Sequence, residues 1–320
     1  MYGKIIGTGA FAPAKTLDNN DLSKLVDTND QWIRERTGVV RRHIIEEETT
    51  VSMAAEAAKR ALENSKIPAD EIDLILVSTI SSNVILPCAA CEVQKEIGAV
   101  NATCFDLNAA CTGFVFAYNT AQAYIAAGIY KKVLIIGAEA LSNLVNWTDR
   151  GTCILFGDGA GAAVLTAAEG NVPTMVTHSN GTAGEVLACD SRHNKDWKEH
   201  LEDGSTYMQM NGQEVFKFAV RKVPEVVNEV ITAAGIDIED IDMFVLHQAN
   251  KRIVESVAKK LKQPIEKFPM NMQEYGNTSS ASVGILLDEL NREGKLASGQ
   301  KIIIAGFGAG LSWGASLLTW

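Results

Sequence analysis

Short, continuously apolar segments alternate along the chain with longer segments in which apolar residues recur every three to four positions. The first kind has the length of a buried β-strand, and the second has the periodicity of an amphipathic α-helix. Strands without a polar face are typical of a sheet that helices cover on both sides. The pattern therefore predicts an α/β protein, with strands at 5–11, 72–77, 133–137 and 160–165 and helices at 51–64, 89–97, 113–127 and 218–234.

Two of the predicted strands recur in the second half of the chain. Residues 70–77 (DEIDLILV) resemble 239–246 (EDIDMFVL), and residues 132–137 (KVLIIG) resemble 301–306 (KIIIAG). The two members of each pair are separated by the same number of positions, a spacing that we call the repeat offset. Self-similarity at one offset indicates a duplicated structural unit.

The duplication predicts two halves, 1–168 and 169–320, each an α/β unit. The segment from about 180 to 212 fits neither copy and is rich in Gly, Asp, Lys, His and Ser. Long connections without regular periodicity often carry function. We therefore expect an inserted lid over a substrate entrance, with a plain surface loop as the alternative.

Composition and charge narrow the class of protein. The chain has 320 residues, of which 47% are hydrophobic, enough for a large core. Its net charge of -10 argues against nucleic acid as the main partner, because phosphate binding needs clustered Lys and Arg. The glycine-rich start does not resemble a signal peptide, and no apolar run approaches the roughly 18 residues of a membrane span. A cytoplasmic location without membrane contact is expected.

The six cysteines, at 88, 91, 104, 111, 153 and 189, are scattered through a long chain. This distribution favours reduced thiols over a disulfide framework. Cys88 and Cys91 form a C-x-x-C pair, but no second pair or nearby histidine completes a zinc set. Their helix-like neighbours favour a packing role, and no metal site is predicted.

Cys111 is the cysteine whose surroundings indicate chemistry. Residues 105–114 (FDLNAACTGF) pass from a strand-like run through small residues to Gly113, where a long helical pattern begins. A cysteine on a strand-to-helix turn is exposed by its small neighbours, and a helix N-terminus lowers the pKa of the thiol. The alternative is an inert, buried thiol.

The repeat offset supplies partners for this thiol. Ser78, at the end of a repeated strand, corresponds to His247, and Asn108 corresponds to Asn277. Equivalent strand ends of two packed halves can meet, which would bring Cys111, His247 and Asn277 into one central site. A cysteine thiolate is a good nucleophile for thioesters. Papain-like proteases also use Cys, His and Asn, but their local C-G-[SA]-C-[WY] signature is absent.

Four segments resemble the signature blocks of the β-ketoacyl-acyl-carrier-protein synthase III family: 108–114 (NAACTGF), 247–253 (HQANKRI), 275–282 (YGNTSSAS) and 306–314 (GFGAGLSWG). The likeness extends to 32–38, 149–151 and 156–162, so it covers nearly the whole chain in order. The resemblance implies a thiolase-like fold, a duplicated five-layered αβαβα sandwich. It also implies a homodimeric acyltransferase that starts type II fatty-acid synthesis without a metal or redox cofactor.

The resemblance implies a reaction in two stages. Cys111 attacks an acyl-CoA thioester, and the backbone N–H groups of Cys111 and Gly308 form the oxyanion hole. Malonyl-acyl carrier protein then loses CO2, and its enolate attacks the acyl group on the sulfur. His247 and Asn277 would donate hydrogen bonds to the enolate oxygen.

Binding residues also follow from the resemblance. The CoA entrance would comprise Thr28, Trp32, Arg36, Arg150, Gly212 and Asn250, with the adenine between Trp32 and Arg150. Carrier protein would contact Gln248, Ala249, Asn250, Lys251, Arg252, Lys217, Lys259 and Lys260, with Arg252 as the first choice. Ordinary loop positions for Thr28 and Gly212, and a solvated helix face for the lysines, are the alternatives.

Leu86 bears on the acyl group, because family members often place phenylalanine at this position before a proline, at the end of the acyl pocket. A smaller residue predicts tolerance of branched or short straight-chain primers. Two alternative functions stay open at this point. One is a condensing enzyme of polyketide or other secondary metabolism, and the other is a non-catalytic acyl-CoA-binding relative. The second is disfavoured because a binding module has no use for Cys111, His247 and Asn277 together.

Overall fold

The structure is a computed structural model that describes residues 1–190 and 207–320. Its strands are β1 (Tyr2–Phe11), β2 (Thr16–Asp18), β3 (Arg41–His43), β4 (Leu74–Ser78), β5 (Thr103–Leu107), β6 (Lys132–Ala140), β7 (Asp158–Ala168), β8 (Met175–Ser179), β9 (Leu187–Ala188), β10 (Gln209–Met210), β11 (Met243–Leu246), β12 (Lys301–Gly308) and β13 (Ser312–Thr319). Its α-helices are α1 (Asn19–Leu22), α2 (Asp30–Thr37), α3 (Thr50–Ser65), α4 (Ala89–Ile97), α5 (Gly113–Ala126), α6 (Arg150–Cys153), α7 (Gly212–Ala234), α8 (Lys251–Leu261), α9 (Met272–Tyr275) and α10 (Ala281–Arg292).

The first large sheet has the strand order β1-β7-β6-β4-β5. Strand β4 runs parallel to β5 and β6, whereas β7 is antiparallel to β6 and β1. All five residues of β4 are buried, as its continuous apolar sequence predicts. The second large sheet has the order β11-β12-β13-β8, with β11 parallel to β12.

The two sheets repeat the same register. Val77 of β4 pairs with Ile136 of β6, and Leu246 of β11 pairs with Ala305 of β12. These two pairs are related to each other by the repeat offset found in the sequence. The predicted duplication is therefore confirmed at the level of individual paired residues.

Helices form three layers around the two sheets. Helices α3 and α4 cover the outer face of the first sheet, and α7 and α8 pack against the second sheet on its outer face. Helices α5 and α10 lie between the sheets and contact both. Because α5 is enclosed by protein, it is apolar around most of its circumference. The arrangement is the expected five-layered αβαβα sandwich.

Two glycines related by the repeat offset let the halves approach closely. A Cβ on Gly137 of β6 would lie 2.2 Å from the carbonyl oxygen of Ser280, so no side chain fits there. A Cβ on Gly306 of β12 would lie 3.0 Å from Thr112 Cα and 3.2 Å from the carbonyl oxygen of Cys111. Gly137 of β6 thus leaves room for the turn before α10, and Gly306 of β12 leaves room for the turn before α5. This packing brings Cys111 to the second half of the chain.

Candidate active site

Cys111 lies on a single 3-10 turn, Ala110–Thr112, between β5 and α5. Ala110 holds a left-handed backbone conformation, with φ at 44°, which is unfavourable for a residue that has a Cβ. The conformation allows the chain to pass from strand to helix within a few residues. Cys111 is 7% exposed and lines a cavity between the halves. The predicted strand-to-helix turn is therefore present.

Gly308, the last residue of β12, packs directly against the cysteine. A Cβ at this position would lie 2.7 Å from Cys111 Cβ and 3.1 Å from Cys111 Sγ. Real Cβ atoms do not approach other atoms at the shorter distance without displacing them. The absence of a side chain at Gly308 therefore keeps backbone groups next to the sulfur.

The pKa of Cys111 differs from the sequence-based expectation. Burial raises the pKa of its thiol to about 12. Ser279 Oγ lies near the sulfur without a well-aligned hydrogen bond, and it still favours the thiolate, whereas the buried Glu139 adds to the increase. The prediction of a lowered pKa was wrong, because desolvation of the buried sulfur outweighs the groups that favour the thiolate.

His247 follows β11 and is held at both its backbone and its ring. Its N–H donates to the carbonyl oxygen of Ala305 at 2.8 Å, and its Nδ1 lies 2.6 Å from Ser282 Oγ. The ring of Phe307 meets the imidazole edge-on, with 5.2 Å between ring centroids. Burial lowers the pKa of His247 to about 3, so the imidazole is neutral at physiological pH.

Ser282 determines which imidazole nitrogen of His247 carries the proton. The backbone N–H of Gln248 donates to Ser282 Oγ at 3.4 Å, and we assign the hydroxyl hydrogen of Ser282 to its 2.6 Å contact with Nδ1, which gives the buried hydroxyl an acceptor as well as a donor. A neutral imidazole that accepts at Nδ1 carries its hydrogen on Nε2. His247 therefore presents an N–H donor to the cavity that it lines.

Asn277 is oriented by its own loop. Its N–H donates to Leu155 at 2.8 Å, and its carbonyl oxygen accepts from Gly157 at 3.1 Å. Its side-chain oxygen accepts from the backbone N–H of Ser279 at 2.9 Å. Because the oxygen is held in the loop, the amide NH2 group is the end of the side chain that can serve the cavity. Asn277 thus offers a second neutral donor.

The structure brings the three predicted chemical residues, Cys111, His247 and Asn277, to one cavity of about 650 Å³. The cavity lies between the two halves and is entered along apolar side chains of Phe216, Ile253 and Met210. Of the other predicted site residues, the cavity also contacts Trp32, Arg36, Gly212, Lys217, Ala249, Asn250, Arg252 and Gly308. These assignments thus cluster at one place, whereas the remaining predicted site residues do not line the cavity: Thr28, Leu86, Arg150, Gln248, Lys251, Lys259 and Lys260.

Two arginines lie over the ring of Trp32, which lines this cavity. The Cζ atom of Arg150 is 5.0 Å from the centroid of the Trp32 ring, and that of Arg36 is 5.8 Å away. A ring between Trp32 and Arg150 needs two stacking contacts of about 3.5 Å each. An adenine in the position that the resemblance implies would therefore require Arg150 to move outward. The side chain of Arg150 is held by a hydrogen bond from its Nη1 to the carbonyl oxygen of Asp27 at 2.9 Å.

Thr28 and Leu86 do not line the cavity. The Oγ1 atom of Thr28 is buried, and it has no hydrogen-bond partner within residues 1–190 and 207–320. Leu86 is 87% exposed at the tip of the connection between β4 and α4. The predicted acyl-pocket residue Leu86 is therefore not part of this cavity.

The predicted carrier-protein contacts divide into exposed and buried residues. Lys251, Arg252, Lys259 and Lys260 are exposed on α8, and Lys217 is exposed on α7. Gln248 is only 1% exposed: its NH2 group donates to the carbonyl oxygen of Leu246 at 2.8 Å, and its side-chain oxygen accepts from Asn271 at 3.0 Å. This geometry removes the Gln248 side chain from the expected contacts.

Part of the expected lid, residues 191–206, lies outside the described residues. On either side of it, β9 and β10 pair with each other through Leu187 and Met210. Both residues contact the cavity.

Ser282 and Phe307 set the geometry of the site but were not predicted from the sequence. Ser282 was not singled out, although it corresponds to Gly113 at the repeat offset. The first half has a glycine at this position, whereas the second half, which carries His247, has a polar residue. That difference was the sequence signal that could have identified Ser282. Phe307, which packs on His247, carries no comparable signal because it lies in an apolar strand.

Cysteine, histidine and asparagine contributed by two copies of one α/β unit make this protein a condensing enzyme of the thiolase fold. A family model described as 3-oxoacyl-(acyl-carrier-protein) synthase III matches residues 105–182, and the model of its C-terminal part matches residues 231–320. The chain belongs to the β-ketoacyl-(acyl-carrier-protein) synthase III family, and it is an acyltransferase. The resemblance found in the sequence is therefore confirmed.

Individual relatives support this assignment. The β-ketoacyl-(acyl-carrier-protein) synthase III of Clostridium acetobutylicum is 48% identical over 319 residues, which span 99% of this chain and 98% of the relative. That of Clostridium novyi is 49% identical over 323 residues and all of both chains. The crystal structure of 3-oxoacyl-(acyl-carrier-protein) synthase III from Aquifex aeolicus superposes with a TM-score of 0.93 at 43% identity, over 99% of this chain and 100% of that one.

Proposed function

We propose that the chain joins an acyl group from acyl-CoA to a malonyl unit on acyl carrier protein and thereby starts fatty-acid synthesis. The observation that carries this proposal is the pair of neutral donors, His247 and Asn277, at the cavity that also contains Cys111. Each donor has its other polar atom held by a serine, His247 by Ser282 and Asn277 by Ser279. Fixed neutral donors are suited to an oxyanion or enolate that forms during reaction.

In the first stage the sulfur of Cys111 attacks the thioester carbonyl of acyl-CoA. A carbon–sulfur bond forms to Cys111 and the bond to the CoA sulfur breaks, so the thiol hydrogen of the enzyme ends on CoA. Exchange between two thioesters is nearly isoenergetic, and the acyl group is stored on the enzyme. The tetrahedral oxyanion would accept from the backbone N–H groups of Cys111 and Gly308, which pack together.

In the second stage malonyl-carrier protein loses CO2, and the electron pair of the broken carbon–carbon bond forms an enolate. His247 Nε2–H and Asn277 Nδ2–H would donate to the enolate oxygen. One well-placed donor of this kind contributes about 3 to 4 kcal/mol to the stability of a transition state. The enolate carbon then attacks the acyl group, Cys111 leaves as the thiolate, and a 3-ketoacyl product stays on the carrier protein.

The proposed contacts with CoA and carrier protein extend outward from the same cavity. Trp32, Arg36, Arg150, Gly212 and Asn250 would hold CoA, with Arg150 moving off the Trp32 ring to admit the adenine. Thr28, whose buried Oγ1 does not line the cavity, would join the CoA site only after a local rearrangement. The helix N-terminus of α8 and the exposed cations at its surface would receive the acidic carrier protein, although the chain as a whole carries -10.

The proposal also covers the boundary between the two halves, the lid, the cellular location and the oligomeric state. We place the boundary between the two halves at 168/169 and the lid at about 180–212. We also propose a cytoplasmic homodimer, in which Leu86 would have to reach the acyl pocket of the other subunit. Within the described residues, no helix is both long and apolar enough to cross a membrane.

One experiment tests the proposal. The protein is incubated with acetyl-CoA and with isobutyryl-CoA, the acylated peptide is located by mass spectrometry, and malonyl-carrier protein is then added. We expect a thioester on Cys111 and then a 3-ketoacyl-carrier protein. Acylation elsewhere, or the absence of a condensation product, would overturn the proposal.

A second candidate has one observation in its favour. The priming β-ketosynthase of the R1128 polyketide pathway superposes with a TM-score of 0.93 at 35% identity. A role in polyketide synthesis would require a carrier protein of that pathway. Comparing turnover with fatty-acid and polyketide carrier proteins distinguishes the two functions.

A further inference from the structure

Three thiols lie close together outside the catalytic cavity, near the start of α4. Cys88 Sγ and Cys91 Sγ are 3.4 Å apart, and both residues are half-buried. Burial first, and then the neighbouring Cys91 and Cys88 thiols, raise the pKa of Cys104 to about 12. Within residues 1–190 and 207–320, no group of three His, Cys, Asp or Glu side chains is arranged to hold a metal ion. The cluster therefore calls for an interpretation other than metal binding.

The local backbone brings the first two sulfurs together. Cys88 is the N-cap of α4, with the extended angles φ -64° and ψ 155°, and Cys91 is the third residue of the helix. The N–H of Cys91 donates to the carbonyl oxygen of Cys88 at 3.0 Å, which fixes the first turn. Inside a regular helix, residues three apart hold their Cβ atoms about 5–6 Å apart, which is too far for a disulfide. The extended conformation of Cys88 removes this obstacle.

Only a small movement separates the two thiols from a covalent bond. A disulfide requires about 2.05 Å between the sulfurs, so closure needs an approach of about 1.4 Å from the observed contact. Rotation about the Cα–Cβ bonds can provide this approach while the helix stays intact. Reactive C-x-x-C dithiols at helix N-termini have the same arrangement, with one cysteine at the end of the helix and one inside its first turn.

Burial disfavours the Cys88 thiolate most, and the nearby Asp106 carboxylate adds a smaller effect. This carboxylate accepts from the backbone N–H groups of Ala89 and Ala90, both at 2.8 Å, and so occupies the positive end of the helix. Burial raises the pKa of Cys88, and the Cys91 side chain and the Asp106 charge raise it further. Exchange should therefore be slow at neutral pH and accelerate as the pH rises, because the thiolate is the attacking species.

We propose that Cys88 and Cys91 are a redox-active dithiol, which closes to an intramolecular disulfide by exchange with a small-molecule disulfide. One thiolate attacks the external disulfide, forms a mixed disulfide and releases one thiol. The second cysteine then attacks the bonded sulfur and releases the other thiol. In balance, two enzyme thiols are oxidised and one external disulfide is reduced to two thiols. The bond links the segment after Leu86 to the first turn of α4.

Intact mass and peptide mapping test this proposal on the full-length native protein. The reduced protein is incubated with oxidised glutathione at pH 7 and at pH 9, quenched with acid and analysed without reduction. We expect the loss of two hydrogens from the intact mass, a linked Cys88–Cys91 peptide, a rate at least about tenfold higher at pH 9, and reversal by dithiothreitol. Absence of this mass change, or a disulfide that maps to Cys91 and Cys104, would overturn the proposal.

Serine variants identify the partners. In the double variants Cys88→Ser/Cys104→Ser and Cys91→Ser/Cys104→Ser, we expect the remaining cysteine of the pair to keep a glutathione adduct, because no thiol of the cluster is left to resolve it. Cys104→Ser is the matched control, since it removes a neighbouring thiol of the same cluster and should still lose two hydrogens. A disulfide that fails to form in Cys104→Ser would contradict the assigned pair. The wild-type measurement stands by itself if a variant folds poorly.

Discussion

Ala110 and Ser279 hold the same left-handed backbone conformation, with φ of 44° and 49°, although neither is a glycine. They are separated by the repeat offset and occupy equivalent turns in the two halves. The first turn presents Cys111 to the cavity. In the second, the backbone N–H of Ser279 holds the side-chain oxygen of Asn277. One strained turn was thus retained twice, for a nucleophile in one half and for a hydrogen-bond donor in the other.

The residues that face the two turns have diverged. Gly308, which packs against Cys111, corresponds at the same offset to Glu139 in the first half. Ser280 of the second half corresponds to Cys111, and its Oγ donates to Glu139 Oε1 at 2.7 Å. The buried carboxylate also accepts from Ser81 Oγ at 2.5 Å. The copy of the nucleophile position is therefore closed by internal hydrogen bonds, and Ser280, unlike Cys111, does not line the cavity.

Replacing Ser282 with alanine should affect the second stage of the reaction selectively. Without the Ser282 hydroxyl, the Nδ1 atom of His247 loses the donor that keeps its hydrogen on Nε2. We expect decarboxylation of malonyl-carrier protein to fall by at least about tenfold, while acylation of Cys111 changes less than threefold. Stopped-flow release of CO2 and acyl-enzyme mass spectrometry measure the two stages. Ser256→Ala, which removes an exposed hydroxyl on α8, is the control. Equal loss in both stages would contradict a role through His247.

Gly308→Ala should impair acylation. Its Cβ would lie 2.7 Å from Cys111 Cβ, so either the strand or the sulfur must move. A displacement of about 1 Å at a reacting atom costs about a hundredfold in rate, and we expect a loss of this size in acyl transfer from CoA. Rates of CoA release measure this variant, and a fully active Gly308→Ala would disprove the packing argument.

The rate of Cys111 alkylation should keep rising with pH through the range in which ordinary thiols titrate. Since burial raises the pKa of its thiol to about 12, the thiolate fraction grows about tenfold per pH unit between pH 7 and pH 10. We expect the rate of reaction with iodoacetamide, measured by peptide mapping at Cys111, to follow that slope. Ser279→Ala should be slower at each pH, because Ser279 favours the thiolate. A plateau below pH 9 would show that the unliganded site already stabilises the thiolate.

Acid should destabilise the protein through His247. The pKa of this imidazole is about 3 in the folded protein and 6.5 when unfolded, so below pH 6.5 the unfolded chain binds a proton that the folded protein does not. Stability from the neutral imidazole is fully present above pH 6.5 and declines as the pH falls toward 3, by about 2 kcal/mol at pH 5. Urea unfolding at pH 8 and pH 5 measures the decline. In His247→Gln the decline should be smaller by about that amount, and an unchanged decline would contradict the assignment.

Arg252→Glu should weaken the use of malonyl-carrier protein while sparing acyl transfer from CoA. Arg252 is exposed at the start of α8, and its guanidinium lies 5.4 Å from the Phe216 ring at the cavity entrance. Reversing a charge at a docking surface raises the KM for an acidic partner, here by about tenfold. Lys66→Glu makes the same change of charge at an exposed residue after α3 and should have no effect. Equal losses in both stages of Arg252→Glu would contradict the docking role.

The sequence by itself determined much of the fold. Apolar periodicity predicted α4 at its observed bounds and α3 and α5 to within a residue or two at each end. The repeat offset predicted that Cys111, His247 and Asn277 meet, which the cavity bears out. Both signals are local or internal to the sequence, because strand and helix periods and duplicated segments can be recognised without knowledge of packing.

The tertiary structure decided the remaining properties. Strands β8 and β13 were not predicted, because Thr, His, Ser and Gly interrupt their apolar pattern and pairing defines them. The tautomer of His247 depends on Ser282, which lies 35 residues away in sequence. The raised pKa of Cys111 depends on how completely the second half excludes water from the sulfur. Burial, proton position and electrostatic environment arise only when the two halves pack, so sequence patterns alone could not supply them.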